Sequence, residues 1–166
     1  MLPWTEEAFV RLVDGHQEAL RRVCCLCLGD AALAEDAVQE TFLKAYRHGS
    51  RFRGESSERT WLTRIAINTC RDMRRTGWFR HVDRRVTPEE LPLAARPFDP
   101  ADEALTLAIM NLPPRLREAV TLRFYQGMEE AEMARVLGIG VTGVSNRLKR
   151  AREKLRLELE GGHSHE

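Results

Sequence analysis

Apolar residues in this chain recur every three or four positions, in two blocks that a proline-dense stretch keeps apart. That step puts the apolar set on one face of a helix, whereas a half-buried strand would alternate every second residue. Over residues 6–28 the set is Phe9, Leu12, Val13, Leu20, Val23 and Cys27. Gly29-Asp30 punctuates, and the Asp30 carboxylate can accept from free N–H groups at the next helix start. That second helix carries Leu33, Ala37, Val38, Thr41, Phe42, Ala45 and Tyr46 on one side. Glu35, Asp36, Gln39, Glu40 and Lys44 lie on another. His48-Gly49-Ser50 ends it, and residues 51–57 (Arg-Phe-Arg-Gly-Glu-Ser-Ser) read as a loop with Ser56 or Ser57 as the next cap. A third helix over about 58–75 buries a stripe that includes Leu62, Ile65, Ala66, Thr69 and Met73.

Six of the seven prolines fall between positions 88 and 114. Proline removes a helix hydrogen bond and biases its predecessor toward extended geometry. Residues 76–100 therefore read as a linker, partly extended and ordered on a partner. Helical spacing resumes at about Ala101. Pro113-Pro114 suits a helix start, where a missing N–H costs nothing. Leu116, Ala119, Val120, Arg123 and Phe124 continue as a helix to Gln126-Gly127. A short helix over 129–137 buries Met133, Ala134 and Leu137, and Gly138 can take the left-handed conformation that stops it. A basic helix then runs over about 141–159. Short helix, glycine turn and basic helix are the parts of a helix-turn-helix. The fold class expected is all-α: two small helical domains, 1–75 and 101–160, joined by a proline-rich linker and followed by a tail, 161–166.

Charge points to a polyanion. The net charge is only +1, but residues 71–85 hold Arg71, Arg74, Arg75, Arg80, Arg84 and Arg85 against Asp72 and Asp83. Residues 147–156 hold Arg147, Lys149, Arg150, Arg152, Lys154 and Arg156 against Glu153. Two basic segments on a near-neutral chain imply two nucleic-acid contacts, with the acidic N-terminal helices kept for another partner. The longest apolar run, residues 23–28, falls far short of the roughly 20 that span a bilayer. The N-terminus carries no basic or apolar leader pattern, so no membrane insertion is expected and the location expected is cytoplasmic. No GxSxG, phosphate-binding glycine loop or HExxH is present, so neither an enzyme nor a cofactor is expected.

With Val144, Leu148, Ala151 and Leu155 toward the core, the basic helix points Ser145, Asn146, Lys149 and Arg150 outward, where they can reach base edges. Arg147 and Arg152 are placed for phosphates. The second surface mixes Phe52, Arg53, Ser57, Thr60, Trp61, Arg64, Asn68 and Arg71, aromatics with cations and amides, as single-stranded DNA requires. Composition alone leans toward Phe52 and Trp61 being core. Cys24 and Cys27 share a helix face, but no second pair completes a metal set, so no metal is expected and buried small hydrophobes are.

In order along the chain, these motifs resemble one family. The run Glu35-Asp36-Ala-Val-Gln39-Glu40-Thr-Phe42, the loop 51–57 and the run Thr60-Trp-Leu-Thr-Arg-Ile-Ala66 with Asn68 look like region 2 of bacterial sigma factors. Leu112-Pro-Pro-Arg-Leu-Arg-Glu-Ala-Val through Tyr125-Gln-Gly127, with Arg147-Leu-Lys-Arg-Ala-Arg152, looks like their region 4. Possession of only these two regions resembles the extracytoplasmic-function group. The resemblance implies that Asp36, Gln39, Glu40 and Phe42 dock on the β′ clamp helices of core RNA polymerase, and that the β flap is a further contact. It implies −10 DNA contacts from Phe52, Arg53, Ser57, Thr60, Trp61, Arg64, Asn68 and Arg71, with the loop capturing a flipped base. It implies −35 contacts from Thr142, Ser145, Asn146, Arg147, Lys149, Arg150 and Arg152, and an anti-sigma factor as partner. Two departures stand out: Glu129 replaces the usual Ser or Thr at a helix start, and the usual Gly-Thr pair is reversed as Thr142-Gly143. Two rival readings are an ordinary helix-turn-helix regulator with a helical dimerisation or sensing domain, and a thiol or zinc sensor at Cys24, Cys25 and Cys27.

Overall fold

The computed structural model describes residues 4–49, 52, 54, 56–76 and 100–163, and every regular element among them is helical. The N-terminal block is α1 (Glu6–Leu28), α2 (Ala31–His48) and α3 (Glu58–Arg75). The C-terminal block is α4 (Pro100–Met110), α5 (Pro114–Val120), a π turn (Thr121–Tyr125), α6 (Glu130–Leu137) and α7 (Val141–His163). The expected linker lies outside the described residues except at its ends, and so do Arg53 and the last three residues of the tail.

Local chemistry sets the helix starts. Thr5 accepts from the Ala8 N–H at 3.1 Å, Asp30 from Leu33 at 3.0 Å and Ser57 from Thr60 at 3.1 Å. Each such cap stabilises its helix by about 1 kcal/mol. Pro114 opens α5 without a side-chain cap, as its missing N–H permits. Glu129 sits at the α6 cap position with extended backbone but makes no side-chain cap bond, so its carboxylate contributes there through the helix dipole alone. Gly138 ends α6 at φ +69°, left-handed backbone that a side chain rarely adopts.

α1, α2 and α3 pack on one another around Val23, Leu26, Ala37, Ala45, Leu62 and Ile67. Cys24, Cys25, Cys27 and Cys70 fill the same interior as buried small hydrophobes. Burial pushes the Cys27 thiol well above its ordinary range, and Cys70 is pushed up by its hydrogen bond with Cys24 and by burial.

The two blocks share a core. Ala119, Leu122, Met128, Met133, Val136, Leu137, Val144 and Leu148 belong to the same apolar cluster as the N-terminal helices. A second cluster, Ala108, Ile109, Leu112, Leu116, Val120, Ala151 and Leu155, seals α4 and α5 against the other side of α7. α7 is thus gripped from both ends of its apolar row.

One expectation fails in geometry. The spacing of Leu116, Ala119, Val120, Arg123 and Phe124 predicts a single helix from Pro114 to Gln126. Instead α5 stops at Val120, and the Gln126 N–H donates to the Thr121 carbonyl at 3.2 Å, a five-residue step. A π turn rotates the residues after it about the helix axis, so the 3.6-residue spacing no longer predicts facing. Phe124 is 60% exposed.

Candidate nucleic-acid and polymerase interface

On the N-terminal block, Trp4, Trp61 and Phe52 form an aromatic row. The Trp61 ring centroid lies 5.0 Å from that of Phe52 and 6.2 Å from that of Trp4. Trp4 is held by its indole N–H, which donates to the Ala45 carbonyl at 3.1 Å. Its ring lies so close to Gly49 that any Cβ there would overlap it. Phe52 and Trp61 are half-buried: part of the packing, yet with surface left to present. Beside them Lys44, His48, Trp61, Arg64, Ile65 and Asn68 line an open cleft of about 520 Å³. Cations and an amide around an aromatic face are what stacks a base and holds its phosphate. Sequence alone does not single out Lys44 and His48 for this surface. They stand one turn apart on α2, facing the Trp61, Arg64, Ile65 and Asn68 row of α3.

Two residues expected in that surface are occupied. Thr60 is buried, and its hydroxyl accepts from Ser57 Oγ at 2.9 Å within the α3 cap. Arg71 is turned away, gripping Glu118 of α5 through Nε at 3.1 Å and Nη2 at 2.8 Å. Arg74, one turn on, donates to the same carboxylate at 2.6 Å. Its hydrogen bond to Glu118 holds the Arg71 guanidinium even more firmly protonated than usual. Arg64 and Asn68 are exposed.

The expected polymerase-docking face of α2 is corrected at one residue. Asp36 and Gln39 are exposed and Glu40 half-exposed, but Phe42 is 7% exposed and meets Phe9 edge-on at 6.4 Å. Phe42 falls on the same side as Val38 and Ala45, so helical spacing points it inward. The apolar residue on the outer face is Leu43, 48% exposed and seven positions from Asp36.

On α7 the expected facing holds. Thr142, Ser145, Asn146, Lys149, Arg150 and Arg152 are exposed, while Val144, Leu148, Ala151 and Leu155 are buried. Ser145 Oγ donates to Glu130 at 2.9 Å, tying α7 to the start of α6. Arg147 differs. It is half-buried, its Nη1 is buried without a hydrogen-bond partner, and burial shifts its guanidinium downward from the ordinary value. On the far side of this block Leu105, Ile109, Val120, Phe124, Tyr125, Arg152 and Leu155 line an apolar groove of about 310 Å³. Among the described residues no group of three or more His, Cys, Asp or Glu side chains is placed to hold a metal ion.

Comparison with known proteins agrees with this two-part layout. The family models for sigma-70 region 2 and sigma-70 region 4 match residues 12–80 and 102–155. The RNA polymerase sigma-H factor of Pseudomonas aeruginosa is 35% identical over 164 residues, spanning 90% of this chain and 85% of that one. The chain belongs to the sigma-70 family. The ECF RNA polymerase sigma factor SigL of Mycobacterium tuberculosis is likewise 35% identical, over 93% of this sigma factor and 91% of its own length. The solved structure of CnrH, in complex with the cytosolic domain of CnrY, matches with a TM-score of 0.72 at 30% identity, covering 95% of this chain and 90% of that one. The protein is an RNA polymerase sigma factor of the extracytoplasmic-function type, which binds core polymerase and directs promoter-specific initiation through −10 and −35 recognition. The reading as an ordinary helix-turn-helix regulator is set aside by the region 2 match. No helix among the described residues is long and apolar enough to cross a membrane.

Proposed function

We propose a division of labour among this sigma factor's own residues. Region 2, within residues 1–75, docks on the β′ clamp helices through Asp36, Gln39 and Glu40, with Leu43 taking the place expected of Phe42. The same region takes the −10 element on Phe52, Trp61, Arg64, Asn68 and Arg71, with Lys44 and His48 on the opposite wall. Region 4, within residues 101–160, reads the −35 duplex through Ser145, Asn146, Lys149 and Arg150. Thr142, Arg147 and Arg152 take phosphates. The apolar groove around Phe124 is the surface left for the β flap.

The observation that carries this reading is the facing of α7. Four side chains able to bond base edges stand exposed above a row of buried Val144, Leu148, Ala151 and Leu155. A helix so arranged can enter a major groove without giving up its core. The chain acts as a non-enzymatic initiation factor in the cytoplasm and is restrained by an anti-sigma factor. Support for that last partner comes from the similar CnrH structure, which was solved in complex with the cytosolic domain of CnrY.

Promoter-dependent run-off transcription with core polymerase, on a selected promoter library, tests the reading. Defined start sites that require this protein are expected. Tight binding of free protein to duplex DNA without any transcription would overturn it.

A further inference from the structure

Five arginines and one carboxylate meet between the two blocks. Arg71, Arg74 and Arg75 of α3, Arg115 of α5 and Arg147 of α7 surround Glu118 in a cleft of about 610 Å³. Glu118 is 1% exposed, yet it sits on a helix of region 4 while two of its partners sit on the −10 helix of region 2. Three more contacts cross the same boundary. Arg117 Nη1 donates to the Cys27 carbonyl at 3.0 Å, Gln126 Nε2 donates to the Ala19 carbonyl at 3.3 Å, and Arg59 pairs with Glu132 at 3.3 Å.

We propose that Glu118 holds the free sigma factor closed, its carboxylate standing between Arg71 and Arg74 where promoter phosphate binds. The proposal rests on the assignment of α3 to the −10 element. Carboxylate and phosphate compete for the same guanidinium donors, and a forked charge-assisted pair satisfies either. While Glu118 is in place, the fork of Arg71, its Nε–H and one Nη2–H, is committed to the carboxylate and not to DNA. Arg147, expected on a −35 phosphate, is drawn toward the same cleft, so both promoter-facing surfaces lose a cation to closure.

Geometry makes opening compulsory. The two elements lie about 25 base pairs apart by their own numbering, roughly 85 Å at ~3.4 Å per pair. A compact chain of this length has a radius of gyration of about 15 Å and is about 40 Å across. It cannot touch both. The stretch from 76 to 100, about 25 residues, reaches at most about 90 Å when extended, enough to let the blocks part. Closure is also poised to release: Arg147 Nη1 is buried without a partner, a defect that parting would relieve.

The experiment compares wild-type protein with E118Q, which keeps the shape and removes the charge, and with E118K, which adds a like charge to the cleft. Dyes on cysteines introduced by D14C and E153C, both exposed sites, report the distance between blocks. Binding of the single-stranded −10 segment of the selected promoter is measured without core polymerase. The expected result is a fall in energy transfer and a gain in affinity of about tenfold or more in E118Q, as the competent state becomes populated. Should E118K fail to fold, E118Q decides alone. E118Q with native helix content, unchanged transfer and unchanged affinity overturns the inference. Run-off transcription by wild-type protein in the same series separates the two ideas: its absence sinks the −10 assignment itself, while its presence beside an inert E118Q sinks only the closure.

Discussion

The two helices proposed to meet promoter DNA differ in what covers them. On α7 the polar row stands open, and only Arg147 is drawn inward. On α3 the first half is open at Arg64 and Asn68, while the second half is taken up by Arg71 and Arg74 bonding to Glu118. Both rows follow the same 3.6-residue logic. A helix's own period decides which side chains face away from its core, but a partner 47 positions along the chain decides whether they are available. A DNA-binding row is therefore two separate facts, spacing and availability, and around one Glu118 cleft the second differs between α3 and α7.

The sharpest way to break that contrast is to ask whether the blocks are one folding unit. Leu122, on the π turn, is fully buried in the cluster it shares with α1, α2 and α3. Leu122→Ala is expected to cost about 2–5 kcal/mol and to move the whole helical signal in one transition. Two transitions in thermal unfolding, with only one displaced, would show that the blocks fold alone and that the Arg71–Glu118 contact is incidental.

The contrast sharpens on DNA. In holoenzyme, Asn146→Ala is expected to cost about 1–3 kcal/mol at one base pair of the −35 element and to leave other positions unchanged. Arg71→Ala is expected to weaken binding evenly across sequences and to reduce the salt slope by about one. Affinities over a panel of single-base promoter variants at two salt concentrations check both. Base-selective loss in Arg71→Ala would erase the distinction between a reading helix and a phosphate-gripping one.

Much of this architecture is legible in the amino-acid sequence. The caps at Asp30 and Ser57, the bounds of α1 and α3, and the outward row of α7 all obey local rules of spacing and capping. The residues that escape those rules do so for physical reasons. Phe42 ends the same motif as Asp36, Gln39 and Glu40, which groups it with them, although its spacing from Val38 and Ala45 points inward. Leu43 stands outside the polar part of that motif, although it is seven positions from Asp36 and so shares its face. Phe124 is displaced by a π turn, which leaves no mark in composition. The Arg71 and Arg74 clasp on Glu118 is beyond local reading altogether, since no periodicity within α3 reveals a carboxylate on α5.

The smallest expected effect concerns the interior that both blocks share. Cys27 and Cys70 have thiols whose ionisation is pushed up in the folded state, the first by burial and the second by its hydrogen bond with Cys24 and by burial. In the unfolded chain a thiol loses its proton near pH 8.5. At and above that pH the folded state holds more protons than the unfolded state, so stability falls as pH rises. Between pH 7.5 and 8.5 each such thiol should remove about 0.3 kcal/mol, and a Cys27→Ser/Cys70→Ser variant should lose that slope. Urea midpoints measured at half-unit steps of pH check it. A flat profile in the wild type would mean that these thiols ionise in the fold as they do in water, and hence that water reaches the core where α1 and α3 meet.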